Sequence, residues 1–266
     1  MLQFLHQQIN HDRDRSRRRV PFMSMVIPVL DGSPCPVPAS PEGRLALAVM
    51  ARAPSDPRGK TRLLVALGSE AGIELRRAIL LDTLDVARRV AGVDLVVVFA
   101  PANARDELAE MTGGATRLLP QRGDGLGERL ECAFVDLLAL GYAGVTIIGS
   151  DVPTLPVAHV QDAVGAVLEG DDPLVLGPAD DGGYYLIGLR HNHPELFRDM
   201  PWSTDLVLDG TLDAASKTAL SVTLVPSWYD VDSLDDLRKV LRSKAHESSG
   251  ALHTRAWAAA RRHLID

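Results

Sequence analysis

An open, mainly parallel β-sheet with helices on both faces is the fold class this sequence predicts. Three observations predict it. From Arg44 onward, short apolar runs alternate with helical patterns, as in an α/β architecture. The first of those runs, Leu45 to Met50, is apolar throughout, as an interior parallel strand must be on both faces. Polar residues able to do chemistry stand just beyond the apolar runs, where open α/β sheets bind their ligands.

The elements follow in order. After the first strand, Glu70 to Val90 reads as a helix, with Ile73, Leu80, Leu84 and Ala87 at helical spacing. Leu95 to Phe99 is a β-branched second strand, and Pro101 and Asn103 lead into a short helix. Residues 116–120 form a weaker third strand. The loop Gln121 to Gly127 then opens a helix whose stripe is Leu126, Leu130, Ala133, Phe134, Leu137 and Leu138. Val145 to Ile148 is the fourth strand, ending at Asp151-Val152-Pro153. Pro156 to Leu168 is a helix with proline in its first turn, where a missing N–H is harmless. Strands at 174–176 and 184–189, a helix near 204–217 and a strand at 221–225 complete the pattern. A last core helix starts at Ser233, whose spacing to Asp236 resembles a capping box. No internal repeat is present, so residues 44–242 are expected to form one domain between a flexible extension (1–43) and a helical tail (243–266).

The extension carries the Arg-rich run His11 to Arg19 and four prolines, Pro34, Pro36, Pro38 and Pro41. Neither stretch can bury enough apolar surface to offset its ordering entropy. Met25 to Leu30 is broken by Pro28 and is too short for an export signal. Initiation at Met23 or Met25, or a functional arm, would each account for this region.

Composition excludes several classes. At 266 residues and 46% hydrophobic, the chain can bury a substantial core. No apolar run approaches the roughly 20 residues that span a bilayer, so neither membrane nor lipid is an expected partner. A net charge of −7 argues against nucleic acid, whose binders present a strong cationic face. Two cysteines, Cys35 and Cys132, far apart, suit a reducing cytoplasm. The eight histidines show no His-Glu-x-x-His spacing, and no Gly-x-Ser-x-Gly elbow occurs, which argues against zinc hydrolase and serine hydrolase chemistry.

The residues that could do chemistry fall in six places. Arg52, Arg58, Lys60, Thr61 and Arg62 follow the first strand, and Gly59 would allow close approach; phosphates need such cations and backbone donors, though a solvated basic loop looks the same. Asp151 follows a strand, and Asp232 follows another. Carboxylates so placed suit Mg²⁺ or Mn²⁺, which take oxygen ligands and keep several waters; each is also an ordinary loop aspartate. Asp180-Asp181-Gly182-Gly183 is a strong hairpin-turn signal, or a carboxylate beside glycines that leave room for a substrate. Gly123, Gly125 and Gly127 are not a Rossmann fingerprint, but with Gln121 they could line a base or ribose at a helix N-terminus. Trp202 before a helix suits packing or stacking.

Together these segments resemble the bacterial radical-SAM/selenodomain-associated transferases, grouped with GT-A-fold nucleotide-diphospho-sugar transferases. The resemblance is carried by Ala51-Arg52-Ala53-Pro54 with Lys60-Thr61-Arg62-Leu63, Leu119 to Gly123 with Leu126 to Arg129, Gly149-Ser150-Asp151, Gly177-Pro178 with Asp181 to Gly188, Pro201 to Thr204, and Asp230-Val231-Asp232. It spans about Leu45 to Leu241. The family is similar to molybdenum-cofactor guanylyltransferases and, through Lys60 to Leu63, to 2-phospholactate guanylyltransferases.

What the resemblance implies is a single GT-A-like, Rossmann-like domain, a three-layer α/β/α sandwich. It implies a nucleotide or nucleotide-sugar donor, a small-molecule acceptor and Mg²⁺ or Mn²⁺ held by Asp151 and Asp232. Arg52, Lys60, Thr61, Arg62, Gln121, Gly123, Gly125 and Gly127 would bind nucleotide. Asp181, Gly182, Gly183, Tyr184 and Trp202 would bind the substrate. Asp181 and Lys60 would be catalytic. The reaction would be glycosyl transfer; nucleotidyl transfer from a triphosphate and nucleotide binding without turnover are the alternatives, and a homodimer is open. Two departures stand out. The Asp-x-Asp usual at the fourth strand is reduced to Asp151, and the family's Pro-x-Pro-Gly is replaced by Pro54-Ser55-Asp56-Pro57.

Overall fold

In the computed structural model, the described residues are 43–114, 116–243 and 250–265. The expectations for the Arg-rich run, the proline-rich piece and Cys35 lie outside them.

Seven strands form one sheet: β1 (Leu45–Arg52), β2 (Val93–Ala100), β3 (Arg117–Pro120), β4 (Gly144–Gly149), β5 (Pro173–Pro178), β6 (Tyr184–Leu189) and β7 (Ser221–Leu224). Their order is β3-β2-β1-β4-β6-β5-β7. β1 pairs in parallel with β2 and β4, β2 with β3, and β5 with β7. Only β6 is reversed, antiparallel to both β4 and β5. The reason is loop length. A parallel crossover needs about a dozen residues or more, and only residues 179–183 separate β5 from β6. A hairpin is the one connection that fits.

Among the described residues, eight α-helices accompany the strands: α1 (Thr61–Leu67), α2 (Ser69–Arg88), α3 (Arg105–Thr112), α4 (Leu126–Ala139), α5 (Val157–Ala166), α6 (Val207–Lys217), α7 (Leu234–Arg242) and α8 (Leu252–Ala260). Alternate residues of β1 divide between the faces. Leu45, Leu47, Val49 and Ala51 pack with α2 and α5 through Leu80, Leu84, Val160 and Val164. Ala46 and Ala48 pack with α4 through Leu130, Phe134 and Leu137. That two-sided burial is why the run reads as continuously apolar.

Three details differ from the sequence reading. β1 continues to Arg52, and residues 61–67 are helical rather than loop. α5 begins at Val157 with Pro156 as its cap. In the C-terminal segment, Ala251, Trp257, Ala258 and Ile265 join Leu63, Leu75, Ile79, Leu237 and Val240 in a third cluster. The Ser233 capping box forms as expected: Ser233 Oγ accepts from Asp236 N–H at 3.3 Å, and Asp236 Oδ2 accepts from Ser233 N–H at 2.8 Å.

The strand order turns back at β1. The chain moves outward to β2 and β3, then returns to β4 on the other side of β1. Loops leaving neighbouring strands in opposite directions open a crevice at their carboxyl ends, and the 179–183 hairpin turn and the β7–α7 loop lie at the same edge.

Candidate functional site

Lys60 stands at the centre of that crevice. Its ammonium lies 3.1 Å from Asp151 Oδ2 and 2.5 Å from Asp232 Oδ1. It also donates to the Val231 carbonyl at 2.5 Å. The Lys60 side chain is 7% exposed, against 39% and 49% for the two carboxylates. Burial works against the ammonium's charge, but Asp151 and Asp232 outweigh it and hold Lys60 above its ordinary range. Burial likewise pushes Asp232 up, yet Lys60 prevails and holds it low. Asp230, half-buried beside Asp232, is pushed up to about 7 by burial and by that neighbour.

The convergence is built by backbone bonds. Val231 N–H donates to the Asp151 carbonyl at 2.9 Å, tying the loop after β7 to the loop after β4. Trp228 N–H donates to the Pro178 carbonyl at 3.0 Å, and Asp180 N–H to the Trp228 carbonyl at 3.2 Å. The same loop is therefore stitched to the end of β5. Beneath it, Trp228 Nε1 and the Tyr229 hydroxyl both meet Thr154 Oγ1, at 3.3 and 3.1 Å. From α2, Thr83 Oγ1 donates to the Ser150 carbonyl at 3.0 Å.

The loop between β1 and α1 has its own scaffold. Asp56 is buried and accepts from Arg52 Nη1 at 2.6 Å and from Arg58 Nε at 3.1 Å. Burial would raise Asp56, but Arg58 and Arg52 hold its carboxyl far below the usual range. Arg76 of α2, 6% exposed, donates to the Asp56 and Ala53 carbonyls, each at 2.7 Å. A side chain at position 59 would meet Arg76 Nη2 at 2.7 Å, so Gly59 is required by this packing. Arg52 and Arg58 thus serve partly as loop architecture.

Two adjoining cavities meet at Lys60. The larger, about 920 Å³, is lined by Lys60, Thr61, Arg62, Asp151, Asp232, Asp181, Gly183, Tyr184 and Trp202 among others. The smaller, about 280 Å³, is lined by Arg52, Arg58, Lys60, Arg76, Asp151 and Asp232. A volume near the first suits a nucleotide-sized ligand.

Of the other expected residues, Gln121, Gly123, Gly125, Gly127 and Gly182 do not line these walls, whereas Asp181 and Trp202 do. Gln121 Nε2 bridges the Ala51 and Val98 carbonyls at 3.1 and 2.9 Å, holding β1 to β2. Gly123 has φ of 100°, and a Cβ there would meet Glu128 Cβ at 2.7 Å. A Cβ at Gly127 would collide with Trp202 Nε1, and one at Gly125 would meet nothing. Gly182 has φ of 87° and lies so close to Asp205 that a Cβ would run into its carbonyl oxygen. Asp181 Oδ1 accepts from Gly183 N–H at 3.0 Å in the turn. Trp202 donates to the Phe197 carbonyl at 3.2 Å and meets Tyr184 edge-on at 6.3 Å.

Several cavity residues had no sequence signal. Lys239 of α7 lies 3.8 Å over the Tyr229 ring and 3.2 Å from Asp180 Oδ2. Asp205 also lines the wall, beside Asp230 and Asp236, which the sequence marks only through Asp230-Val231-Asp232 and the Ser233 cap. A lysine on an amphipathic helix reads as solvated until the helix is docked.

The donor set can be tested against a divalent cation. Lys60 engages one oxygen of each carboxylate, leaving Asp151 Oδ1, which accepts from Ser150 Oγ at 3.2 Å, and Asp232 Oδ2. Among the described residues, the three-membered groups of metal-type ligands are Asp172 with His191 and His193, and Asp82 with Asp85 and His253. Asp151 and Asp232 belong to neither. The two carboxylates would hold only a cation that takes one or two of them and completes its shell with phosphate oxygens and water, the habit of Mg²⁺.

Comparison with known proteins agrees with this fold. Residues 83–204 match the family described as an uncharacterized protein conserved in bacteria (DUF2064). That stretch contains Asp151, the 180–183 turn and Trp202 but neither Lys60 nor Asp232. No curated protein matches the sequence. The chain is similar to the crystal structure of a protein provisionally named a nucleotide-diphospho-sugar transferase from Desulfovibrio desulfuricans G20. The two are 28% identical with a TM-score of 0.74, over 84% of this chain and 97% of that one. It shares its fold with a 4-diphosphocytidyl-2C-methyl-D-erythritol synthase from Anaerococcus prevotii DSM 20548, at 11% identity and a TM-score of 0.50 over 82% and 96% of the two chains. A cytidylyltransferase from Leptospira borgpetersenii serovar Hardjo-bovis gives 12% and 0.50 over 84% and 97%. The described residues form a single GT-A-like α/β domain. No helix among the described residues is long and apolar enough to cross a membrane.

Proposed function

We propose that the protein is a nucleotide-dependent transferase that moves a sugar from a nucleotide-diphospho-sugar to a small acceptor. The observation that carries this reading is the buried Lys60 ammonium held between Asp151 and Asp232 at the mouth of a cavity about 920 Å³ in volume. The resemblance to the radical-SAM/selenodomain-associated transferases and the 28% identity to the Desulfovibrio protein point the same way.

Lys60 and Arg62 hold the donor phosphates and stabilise the charge that develops as the diphosphate leaves. Asp151 and Asp232 hold Mg²⁺ or Mn²⁺, which when bound supplies further neutralisation of that charge. Asp181, on the cavity wall, orients the acceptor hydroxyl and takes its proton. Tyr184 and Trp202 wall the sugar subsite and limit water.

A second reading, nucleotidyl transfer from a triphosphate to a phosphorylated acceptor, is favoured by one feature. The loop after β4 offers Asp151 in place of Asp-x-Asp, and the second expected ligand, Asp232, comes from the loop after β7. Incubation of the purified chain with nucleotide sugars or with nucleoside triphosphates, each with Mg²⁺ or Mn²⁺, separates the two. Release of nucleoside diphosphate supports glycosyl transfer, and release of pyrophosphate supports nucleotidyl transfer. Product formation that survives Asp151→Asn unchanged sinks both.

A further inference from the structure

We propose that Asp172, His191 and His193 form a second metal site, for one zinc-like divalent transition ion, at the sheet edge opposite the cavity. Asp172 directly precedes β5, and both histidines follow β6. The cavity lies at the other ends of these strands, roughly 20 Å away for six residues. The site is independent of the transferase reading.

The geometry around His193 carries the inference. Its Nε2 lies 3.1 Å from both Asp172 oxygens, while its Nδ1 lies 3.0 Å from Glu195 Oε1. A neutral imidazole has one N–H and can donate to one of these carboxylates only. With that hydrogen on the Glu195 side, the Nε2 lone pair faces a carboxylate, which is favourable only with a cation between them. His191 Nδ1 completes the group at 3.0 Å from Asp172 Oδ1. Ligand atoms of a tetrahedral zinc, bound at about 2.0–2.2 Å, lie roughly 3.3 Å apart, close to the separations observed.

Glu195 matches a second rule. Metal-bound histidines donate their other N–H to a carboxylate, which fixes ring and tautomer. Two imidazoles with one carboxylate suit zinc over magnesium or calcium. The cluster is also anchored: the Asp172 carbonyl accepts from Ser221 N–H at 3.1 Å, and Leu196 beyond the histidines is fully buried. His193 is 13% exposed and His191 63%, so solvent can supply the fourth ligand. The group Asp82, Asp85 and His253 is different, because both Asp82 oxygens accept N–H groups of the α8 N-terminus at 2.9 and 2.8 Å. It is a helix cap.

The test is a zinc titration of the untagged, chelator-stripped full chain at micromolar concentration against a chromogenic indicator. One Zn²⁺ per chain is expected in the wild type and in Asp151→Asn, and loss of that ion in His193→Gln and Asp172→Asn. Co²⁺ should give the visible bands of a four-coordinate site, absent in His193→Gln. Glu195→Gln should fold normally and bind zinc about 10–100-fold more weakly, so the site can be judged even where a ligand variant fails to fold. Unchanged zinc stoichiometry in His193→Gln or Asp172→Asn, no zinc bound by the wild type, or unchanged affinity in Glu195→Gln would overturn the site. So would stabilisation by acidification alone, which would make a proton the bridging cation.

Discussion

Lys60 has a left-handed backbone, with φ of 44° and ψ of 51°, a region that side chains with a Cβ visit rarely. Strain of that kind persists where surroundings over-determine it, and here two carboxylates and a carbonyl converge on the ammonium. Lys60→Met should lower turnover about 10²–10³-fold and lower the melting temperature, with part of the lost stability recovered on adding Mg²⁺. A variant as active as the wild type would remove Lys60 from the chemistry. Arg76 acts one step further back, under the loop. Arg76→Met leaves the Ala53 and Asp56 carbonyls without their buried donor, and should cost about 2–3 kcal/mol in urea unfolding while raising the donor KM more than it lowers kcat. Lys60, Asp151 and Asp232 were legible because each stands in a loop that follows a strand, where an open α/β sheet receives its ligands. Arg76 was not, since an arginine within an amphipathic helix looks the same whether it reaches water or a buried loop.

Turns and caps hold these residues in place. Gly182 combines a positive φ with backbone contact to Asp205, so Gly182→Ala should destabilise by about 2–3 kcal/mol. Gly125→Ala, where a Cβ meets open space, should cost under about 1 kcal/mol. Equal losses by chemical denaturation would mean that the turn is not the constrained element. In α7 the cap and the site share a residue. Asp236 Oδ2 accepts from both Ser233 N–H and Asp232 N–H, at 2.8 and 3.1 Å. Ser233→Ala should therefore cost about 1 kcal/mol and also weaken donor binding by calorimetry, although Ser233 lies outside the cavity. The cap was readable as a Ser-x-x-Asp spacing, whereas its bond to Asp232 depends on the bend of the preceding loop. α1 escaped notice because seven residues make only about two turns, too few for a period to distinguish helix from loop.

The described molecule has three buried clusters. The third joins α1, α2 and α7 to the C-terminal α8, so the end of the chain supports the helix that begins at Lys60. Trp257, 7% exposed, fills that cluster. Trp257→Ala should destabilise by about 3–5 kcal/mol in equilibrium denaturation, and a stability near wild type would show α8 to be dispensable. The crevice belongs to the same scale, since it opens only because the connections from β1 and β4 diverge.

By itself the sequence determined the element types, the interior position of β1 and the identity of the principal charged residues, because burial on two faces and turn chemistry leave local patterns. Tertiary structure alone decided that β6 runs backwards, that Gln121 bridges β1 and β2, that Gly123 and Gly127 are closely packed, and that Lys60 is the cation between Asp151 and Asp232. Those outcomes depend on loop length and on backbone bonds between segments remote in the chain, and distance in space leaves no period in a sequence.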